Sequence, residues 1–556
     1  ARMKITDRSD LWWKNAVVYC LDIETFMDWN DDGYGDFEGL AHRLDHLAEL
    51  GVTCIWLMPF QPTPDRDDGY DITDFFGVDP RLGSLGDVAE LTRTARDRGM
   101  RVIIDFVMNH TSDKHPWFKS ARRSRTAPFR DYYVWVDEPP KQQAQTVFPG
   151  EEESVWELDE RTGQYYLHSF YRHQPDLNIA NPAVRDEIAK TIGFWLELGI
   201  SGFRVDAVPF LIEAPQGVDL GDPHEILRDL RRFLQRRSSE AVLLGEVNLP
   251  FEQQLDYFGR PGQAPELTMQ FDFLGMQALY LSLAREDARP LAASLAKRPQ
   301  LEPEAQWANF VRNHDELTLD KLSESERQEV FEAFAPEEWM RVYGRGIVRR
   351  LPPMLDGDPR RIRMVYSLLF SLPGTPVLFY GEEIGMGENG QQEGRQAVRT
   401  PMQWTDAANG GFSRAPLRRL TAQPPTDGYA PEHINVEAQM HDPDSLLAFI
   451  RELAVRYRSS PEIGWGTPEV LETGQDAVLA HRITADVGRF VAVHNFAPRP
   501  TVVPLELGQV APDTVLSDLF ANDAFPLDES GRIDVHLDAY GYRWFRIVEP
   551  DDRRLT

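Results

Sequence analysis

The hydrophobic pattern of the chain is an alternation of short apolar runs with longer amphipathic stretches. Continuous apolar runs are typical of strands that are buried on both faces, as in a parallel sheet. The runs are VVYCL (17–21), TCIWLM (53–58), RVIIDFVM (101–108), GFRVDAV (202–208), AVLLGEV (241–247), TMQFDF (268–273), WANFVRN (307–313) and TPVLFYG (375–381). The pattern predicts an α/β protein built on a (β/α)8 TIM barrel, whose functional groups gather at the carboxyl ends of the strands.

Two segments interrupt the alternation. Residues 109–180 are too long for a loop between a strand and a helix, and they are rich in aromatic, proline and charged residues. We therefore predict a small domain inserted after the third strand. Residues 461–556 alternate apolar and polar positions between turns, which predicts a C-terminal antiparallel β-sandwich domain. The ranges 1–108 and 181–460 form the two parts of the predicted barrel.

Composition narrows the class of protein. A chain of 556 residues is too long for a single hydrophobic core. Its 42% hydrophobic and 27% charged residues are typical of globular proteins and exclude a disordered chain. The formal net charge of −30 repels phosphate groups, so nucleic acid and anionic membranes are poor candidate partners. A neutral or cationic ligand is favoured instead.

The cysteines and the most apolar segment bear on where the protein works. Cys20 and Cys54 are too few for a disulfide framework, and we expect two buried, reduced thiols. Residues 364–381 are apolar enough to consider as a membrane span, but Pro373 and Gly374 divide them into a helix and a strand. We therefore expect a cytoplasmic protein with no membrane partner, and an exposed edge of the C-terminal domain is a candidate surface for a homo-oligomer.

Three acidic residues lie at the ends of predicted strands. Asp206 follows GFRV, Glu246 closes LLGE and Asp315 follows VRNH. Strand ends that are far apart in sequence meet at one rim of a barrel, so we expect these side chains to converge. Two carboxyls on opposite sides of a glycosidic bond can act as nucleophile and general acid/base through a covalent intermediate. A third can hold sugar hydroxyls as the transition state develops.

Further polar groups belong to the same rim. Arg204 faces the same side of its strand as Asp206 and would keep that carboxylate ionised. His110 and His314 add hydrogen-bonding groups, and Asp105 is predicted to be a structural hydrogen-bonding residue. A single residue of this kind is readily explained as a salt bridge or a helix cap, but their combination at four strands is not.

Four motifs give the chain a resemblance to glycoside hydrolase family 13, the α-amylase family. DFVMNH (105–110), GFRVDAV (202–208), GEVN (245–248) and FVRNHDE (310–316) are similar to that family's main motifs in the same order, and QPDLN (174–178) resembles its fifth. The resemblance implies that Asp206 is the nucleophile, Glu246 the acid/base and Asp315 the transition-state stabiliser. It also implies a glucose-binding subsite made of Asp67, Tyr70, His110, Arg204, His314 and Arg399.

The loop DWNDDGYGD (28–36) has the spacing of a Ca²⁺-binding loop. Oxygen-bearing side chains occupy its positions 1, 3, 5 and 9, although Gly39 stands where an EF-hand has its bidentate Glu. Similar loops follow the first strand in relatives within the family. The resemblance implies a structural Ca²⁺ or Mg²⁺ ion held by Asp28, Asn30, Asp32, Asp36 and the carbonyl of Tyr34. The alternative is an Asx-rich turn without an ion. No organic cofactor is expected.

Several stretches, among them GQYYLHSFYRHQPDLN, resemble the branch of the family that interconverts maltose and trehalose by intramolecular glucosyl transfer, with minor hydrolysis to glucose. Ala207 directly follows the implied nucleophile, and in related α-glucosidases Ala at that place accompanies α-1,4-linked substrates. The implied substrate is thus a small neutral sugar.

Two departures from the family pattern leave the glucosyl acceptor open. The chain has Gly394-Arg395-Gln396 where the family has Asp-Arg-Asp, and Val247-Asn248-Leu249 where it has Ala-Asn-Gln. An α-glucosidase acting on short α-1,4-linked oligosaccharides, or an α-transglucosylase with another acceptor, therefore stays as an alternative. A catalytically silent scaffold protein would have lost a catalytic carboxylate, and none is lost here.

Overall fold

The computed structural model describes residues 4–5, 11–212, 221–552 and 554–555, and side chains over 11–211 and 221–552. Eight parallel strands close into a barrel in chain order, and the last strand pairs with the first. They are β1 Val18–Leu21, β2 Cys54–Leu57, β3 Arg101–Phe106, β4 Gly202–Val205, β5 Val242–Gly245, β6 Met269–Phe271, β7 Gln306–Phe310 and β8 Thr375–Phe379. Each lies in one of the predicted apolar runs, so the predicted barrel is confirmed.

Helices follow the barrel strands along the chain, and the last three come after β8. They are Ile23–Phe26, Phe37–His42, Leu44–Leu50, Leu85–Asp97, Pro182–Glu197, Val208–Ile212, Glu225–Arg237, Phe251–Phe258, Phe273–Arg285, Arg289–Lys297, Glu324–Phe334, Leu351–Met354, Pro359–Ser371, Val436–Met440, Leu446–Arg458 and Glu462–Trp465. Short 3-10 turns span Trp12–Asn15, Arg130–Tyr132, Glu338–Met340, Glu382–Ile384, Gly394–Val398, Ala408–Gly411 and Leu417–Arg419.

Helix Leu85–Asp97 illustrates how the sequence sets these elements. The Ser84 side chain accepts a hydrogen bond from the backbone of Asp87, whose carboxylate accepts one from the backbone of Ser84 at 2.8 Å. This reciprocal capping satisfies backbone donors that would otherwise lack partners. Val88, Leu91 and Ala95 then form one buried apolar face at helical spacing.

A small domain is inserted between β3 and helix Pro182–Glu197, as predicted. It contains helix Pro116–Ala121 and an antiparallel sheet of Trp135–Val136, Gln164–Leu167 and Trp156–Asp159. Isolated bridges between His110 and Asp176 and between Tyr133 and Leu177 join the two ends of the insertion. The insertion therefore starts and finishes beside the barrel rim. The boundary residues of the predicted domains stay predictions.

The C-terminal region is antiparallel, as predicted. One sheet contains Thr467–Leu471, Val478–Ala485, Gly488–Asn495, Tyr542–Val548, Val515–Asp518 and Ala524–Pro526, and a second pairs Thr501–Glu506 with Arg532–Leu537. Buried side chains of both sheets, such as Val491 and Val503, pack into one apolar cluster. The short strand Lys4–Ile5 pairs with Arg554–Leu555.

The remaining expectations from the sequence also bear on the fold. Cys20 and Cys54 are free and buried, as predicted. Residues 364–381 divide into helix Pro359–Ser371 and strand β8. Within the described ranges, no helix has the length and apolar character needed to cross a membrane.

Candidate active site

The three predicted catalytic carboxyls meet at the carboxyl end of the barrel. Asp206 directly follows β4, Glu246 directly follows β5, and Asp315 lies in the loop after β7. All three line one cavity of about 980 Å³. The convergence that was expected from strand ends alone is thus present in the structure.

Arg204 on β4 contacts the carboxyls of both Asp206 and Glu246. Its side chain is 1% exposed and donates to Asp105 at 2.6 Å and to Asp206 at 2.8 Å. It also forms an ion pair with Glu246. Asp105 further accepts hydrogen bonds from Trp56 and Tyr70, which agrees with its predicted structural role.

Asp206 and Glu246 differ in their affinity for a proton. Burial raises the pKa of Asp206 to about 6, although the Arg204 cation opposes the rise. Burial also raises the pKa of Glu246 to about 8, against the effect of Arg204, and the negative charges of Asp206 and Asp315 raise that pKa further. A hydrogen bond between the two carboxyls lowers the pKa of Asp206 and raises that of Glu246. In the pH range between these two values Asp206 is ionised while Glu246 holds a proton.

Asp315 is ionised for a different reason. Burial alone would raise its pKa, but the cations of Arg395 and Arg399 outweigh burial and hold the pKa of Asp315 well below its usual range. Nη2 of Arg399 lies 3.0 Å, and Nη1 of Arg395 lies 3.2 Å, from Oδ1 of Asp315. The carboxylate is therefore a permanent acceptor for hydrogen bonds from a ligand.

Tyr70 and the two histidines form a packed layer beside the carboxyls. The hydroxyl of Tyr70 lies 2.8 Å from Nε2 of His314, and the two rings stack with centroids 5.6 Å apart. Nε2 of His110 lies 2.9 Å from the backbone oxygen of Tyr70. Burial lowers the pKa of His110 to about 4 and that of His314 well below its usual range, so both are neutral near pH 7.

The predicted subsite residues divide into two groups. Asp67, Tyr70 and His110 line the cavity. The side chains of Arg204, His314 and Arg399 are buried behind the cavity lining, where they contact the carboxyls. Asp67 accepts a hydrogen bond from Gln174 at 2.7 Å, and burial raises its pKa to about 7.

The inserted domain covers the cavity. Its residues 140 and 142–148 form part of the lining, together with the rings of Phe170 and Phe210. The ring of Phe148 stacks on Tyr171 with centroids 4.1 Å apart. Arg345, between the short strands Arg341–Val342 and Gly346–Ile347, donates to the backbone oxygen of Val147 at 2.7 Å.

Two cavity-lining arginines were not assigned a role from the sequence. Arg395 contacts Asp315 and also pairs with Glu316 at 2.7 Å. Its position in the same segment as Arg399 is the one feature of the sequence that could indicate a role in the site. From the sequence, Arg395 stands out only as part of a departure from the family pattern. Arg345 pairs with Glu316 at 2.9 Å, and it lies outside every motif that the sequence displays.

The predicted metal loop is held together by its own polar groups. Asp28 accepts from the Gly33 backbone at 2.8 Å and from Ser413 at 2.6 Å, and Asp36 caps helix Phe37–His42. The loop needs glycine at position 33, where φ is +101° and a Cβ would lie 2.6 Å from a backbone oxygen. Oδ1 of Asp28 is buried without a hydrogen-bond partner among the described residues, which fits a cation ligand.

The other predicted ligands of this loop form Asx turns. Oδ1 of Asn30 accepts from the Asp32 backbone at 3.2 Å, and Oδ1 of Asp32 accepts from the Tyr34 backbone at 2.9 Å. These hydrogen bonds stabilise the turn with or without an ion. They are therefore compatible both with an ion-binding loop and with an Asx-rich turn that binds no ion.

A closed parallel barrel with two carboxyls facing one cavity at its carboxyl end is the arrangement of the (β/α)8-barrel glycosidases. A family model described as "Alpha amylase, catalytic domain" matches residues 23–333 and 349–465 of this chain, and one described as "Sucrose hydrolase-like, C-terminal domain" matches residues 488–546. The chain belongs to the α-amylase family.

Individual relatives agree with this assignment. A trehalose synthase from Pimelobacter sp. is 40% identical, over 97% of this chain and 96% of its own length. A trehalose synthase from Thermus thermophilus is 42% identical over 97% of this chain, which spans 56% of that longer protein. The solved structure of the trehalulose synthase MutB from Pseudomonas mesoacidophila is 26% identical, covers 97% of this chain and 99% of its own, and superposes with a TM-score of 0.74.

Proposed function

We propose that this protein is a retaining α-glucosyl-transferring enzyme that interconverts maltose and trehalose, with minor hydrolysis to glucose. The observation that carries the proposal is that Asp206 and Glu246 both bond to the guanidinium of Arg204 and line a cavity to which the inserted domain also contributes. Inverting glycosidases separate their carboxyls by about 6.5–9.5 Å to admit water, whereas Asp206 and Glu246 bond to the two neighbouring Nη atoms of one guanidinium, which favours the shorter spacing of a retaining enzyme. Similarity to two trehalose synthases at 40% and 42% identity supports the same substrate.

The reaction proceeds in two steps. The Asp206 carboxylate attacks the anomeric carbon of the non-reducing glucose of maltose, while Glu246 gives its proton to the departing glycosidic oxygen. The product of this step is a glucosyl ester of Asp206 and a free glucose. The glucose turns within the cavity and attacks the ester through its own anomeric hydroxyl. Glu246 takes the proton of that hydroxyl, and the carboxylate of Asp206 leaves as trehalose forms.

Isomerisation requires that the free glucose stays and that water is kept away. The contacts of Arg345 with Val147 and of Tyr343 with Phe148 hold the inserted segment beside the cavity. These contacts favour transfer of the glucosyl group within the pocket over release of the free glucose. The same site without effective closure would be an α-glucosidase, which is the alternative that the sequence left open.

Incubation of the purified protein with maltose, followed by separation of the products over time, tests the proposal. We expect trehalose to accumulate with a smaller amount of glucose. Glucose without trehalose at any time would contradict isomerisation and would favour the α-glucosidase. An oligosaccharide other than trehalose would favour an α-transglucosylase with another acceptor.

We further propose that the loop at residues 28–36 binds a structural Ca²⁺ or Mg²⁺ ion. The unpartnered, buried Oδ1 of Asp28 supports this proposal. A ligand that binds only the folded state stabilises it, by about 2.7 kcal/mol at 100 times its Kd. We therefore expect a chelator to lower the Tm of the wild type, and to lower that of Asp28→Asn by less. An equal decrease in both proteins would contradict the site.

A further inference from the structure

A second group of acidic side chains lies at the carboxyl end of β1, apart from the loop at residues 28–36. Asp22 is the first residue after β1, Glu24 lies in the short helix that follows, and Asp68 lies in the loop after β2. One carboxylate oxygen from each of the three lies within 4.8 Å of the other two. Distances of this size are those between oxygens that share one Ca²⁺, whose ligands lie at about 2.3–2.6 Å.

The charges of this cluster are not balanced by its neighbours. Asp65 adds a fourth carboxylate next to Asp68. The available cations are Arg81, which pairs with Glu24 at 3.0 Å, and Arg399, which pairs with Asp68 at 2.8 Å. Each guanidinium is shared with a further carboxylate, since Arg81 also pairs with Asp79 and Arg399 with Asp315. The four carboxylates therefore exceed the positive charge that faces them.

One carboxylate oxygen in the cluster has no hydrogen-bond partner. Asp22 is 5% exposed, and while its Oδ1 accepts from the backbone of Glu24 at 3.1 Å, its Oδ2 is buried without a partner among the described residues. A buried carboxylate oxygen left in this state is destabilising unless a proton or a cation satisfies it. In the absence of a cation, burial and then the charge of Asp68 hold the pKa of Asp22 well above its usual range.

We propose that Asp22, Glu24 and Asp68 bind one divalent cation that prefers oxygen ligands, Ca²⁺ or Mg²⁺. Three carboxylates, one at a strand end, one in the short helix that follows and one in the loop after β2, supply the ligand type that such ions select. The ion satisfies Oδ2 of Asp22 and reduces the repulsion among the three carboxylates.

The site has a direct connection to the catalytic carboxyls. Asp68 contacts Nη1 of Arg399, and Nη2 of the same guanidinium contacts Asp315. A cation that fixes Asp68 therefore fixes Arg399 as well, and Asp68 acts as a positioning residue for Asp315. The cation itself takes no part in the chemistry at the sugar.

Equilibrium dialysis of the full chain, stripped of metal and then exposed to Ca²⁺ alone or Mg²⁺ alone, tests the proposal by counting bound metal. We expect Asp22→Asn to bind one equivalent less than the wild type. The matched control is Asp65→Asn, which removes a neighbouring charge at a position with φ of +60° that Asn tolerates, and we expect it to keep the equivalent. A further variant, Asp28→Asn, removes a ligand from the loop at residues 28–36 only. It therefore distinguishes an ion in that loop from the ion at Asp22.

The same amount of bound metal in Asp22→Asn and in the wild type would overturn the proposal, and so would a wild type that binds no metal. Because Asp22→Asn could fail to fold, crystals of the wild type grown with Mn²⁺ provide a second test. We expect an anomalous difference peak between Asp22, Glu24 and Asp68. Anomalous peaks at other places only would contradict the site, and neither test depends on the identity of the sugar substrate.

Discussion

At the scale of single residues, Arg204 connects two of the three predicted catalytic carboxyls with the structural carboxyl of Asp105. Its guanidinium contacts Asp105, Asp206 and Glu246, so these three carboxyls share one positive charge. Their protonation states then depend on burial and on mutual distances, and these differ for Asp206 and Glu246 although both end a barrel strand.

The sequence could therefore predict where these carboxyls lie but not which of them holds the proton. Their positions follow from the strand pattern and from the motifs, because strand ends must meet in a closed barrel. The pKa values depend on neighbours that come from separate loops. Arg395 is such a neighbour: its contact with Asp315 follows from the path of a long loop and not from a local pattern.

The pKa values predict a bell-shaped dependence of kcat/KM on pH. Activity falls below about pH 6, where Asp206 gains a proton and stops being a nucleophile, and above about pH 8, where Glu246 loses the proton that it must donate. Initial rates with maltose across this range measure both limbs.

Replacement of Glu246 provides the control for this assignment. In Glu246→Gln, turnover of an aryl α-glucoside, whose leaving group needs no acid, should keep the acidic limb and lose the alkaline limb. An alkaline limb unchanged from that of the wild type would show that another group titrates there.

At the scale of elements, the inserted domain and the hairpin after β7 contact each other at the cavity that both of them line. The ring of Phe148 contacts Tyr343 at 5.2 Å between centroids, and Arg345 bonds the backbone of Val147. The sequence could predict the insertion, because its length and composition do not fit a loop. It could not predict this hairpin, because strands of two residues leave no periodicity to recognise.

We predict that Arg345→Ala raises the share of maltose that is hydrolysed. Loss of the bond to Val147 and of the ion pair with Glu316 frees the inserted segment, so that water enters and glucose leaves before it turns. The expected change is several-fold in the ratio of glucose to trehalose, measured from product amounts at early times.

Arg341→Ala is the matched control for this prediction. Arg341 belongs to the same hairpin, but its contacts are with the backbone of Ala335 and the ring of Phe331. We expect its product ratio to stay near that of the wild type. A similar ratio in all three proteins would mean that the Arg345 contact does not control the partition.

At the scale of the whole molecule, the C-terminal sheet is attached to the barrel through helix Pro359–Ser371. Nε1 of Trp544 donates to Ser367 at 2.9 Å, and Nε2 of His494 lies 2.7 Å from the same hydroxyl. Alternation in the sequence predicted the strands correctly. It could not identify Trp544 and His494 as interface residues, because a period of two separates the faces of a strand without showing what covers each face.

We predict that Trp544→Ala destabilises the protein by about 3–5 kcal/mol, the usual effect of truncating a fully buried aromatic residue. The indole packs on Phe490 and Phe520, and the truncation also leaves the Ser367 hydroxyl with one partner fewer. Urea unfolding measures the change. Trp544→Phe should lose much less stability, and equal losses in both variants would contradict this packing account.

The central claim is that the glucose released from maltose stays in the cavity and becomes part of trehalose. The most direct measurement is NMR of the products formed from unlabelled maltose in the presence of excess ¹³C-labelled glucose, with Asp206→Ala as the inactive control. The account predicts unlabelled trehalose from the wild type and none from Asp206→Ala, which should remain folded by circular dichroism. Label incorporated into the trehalose from the first turnovers, glucose as the sole product, or substantial turnover by Asp206→Ala would contradict it.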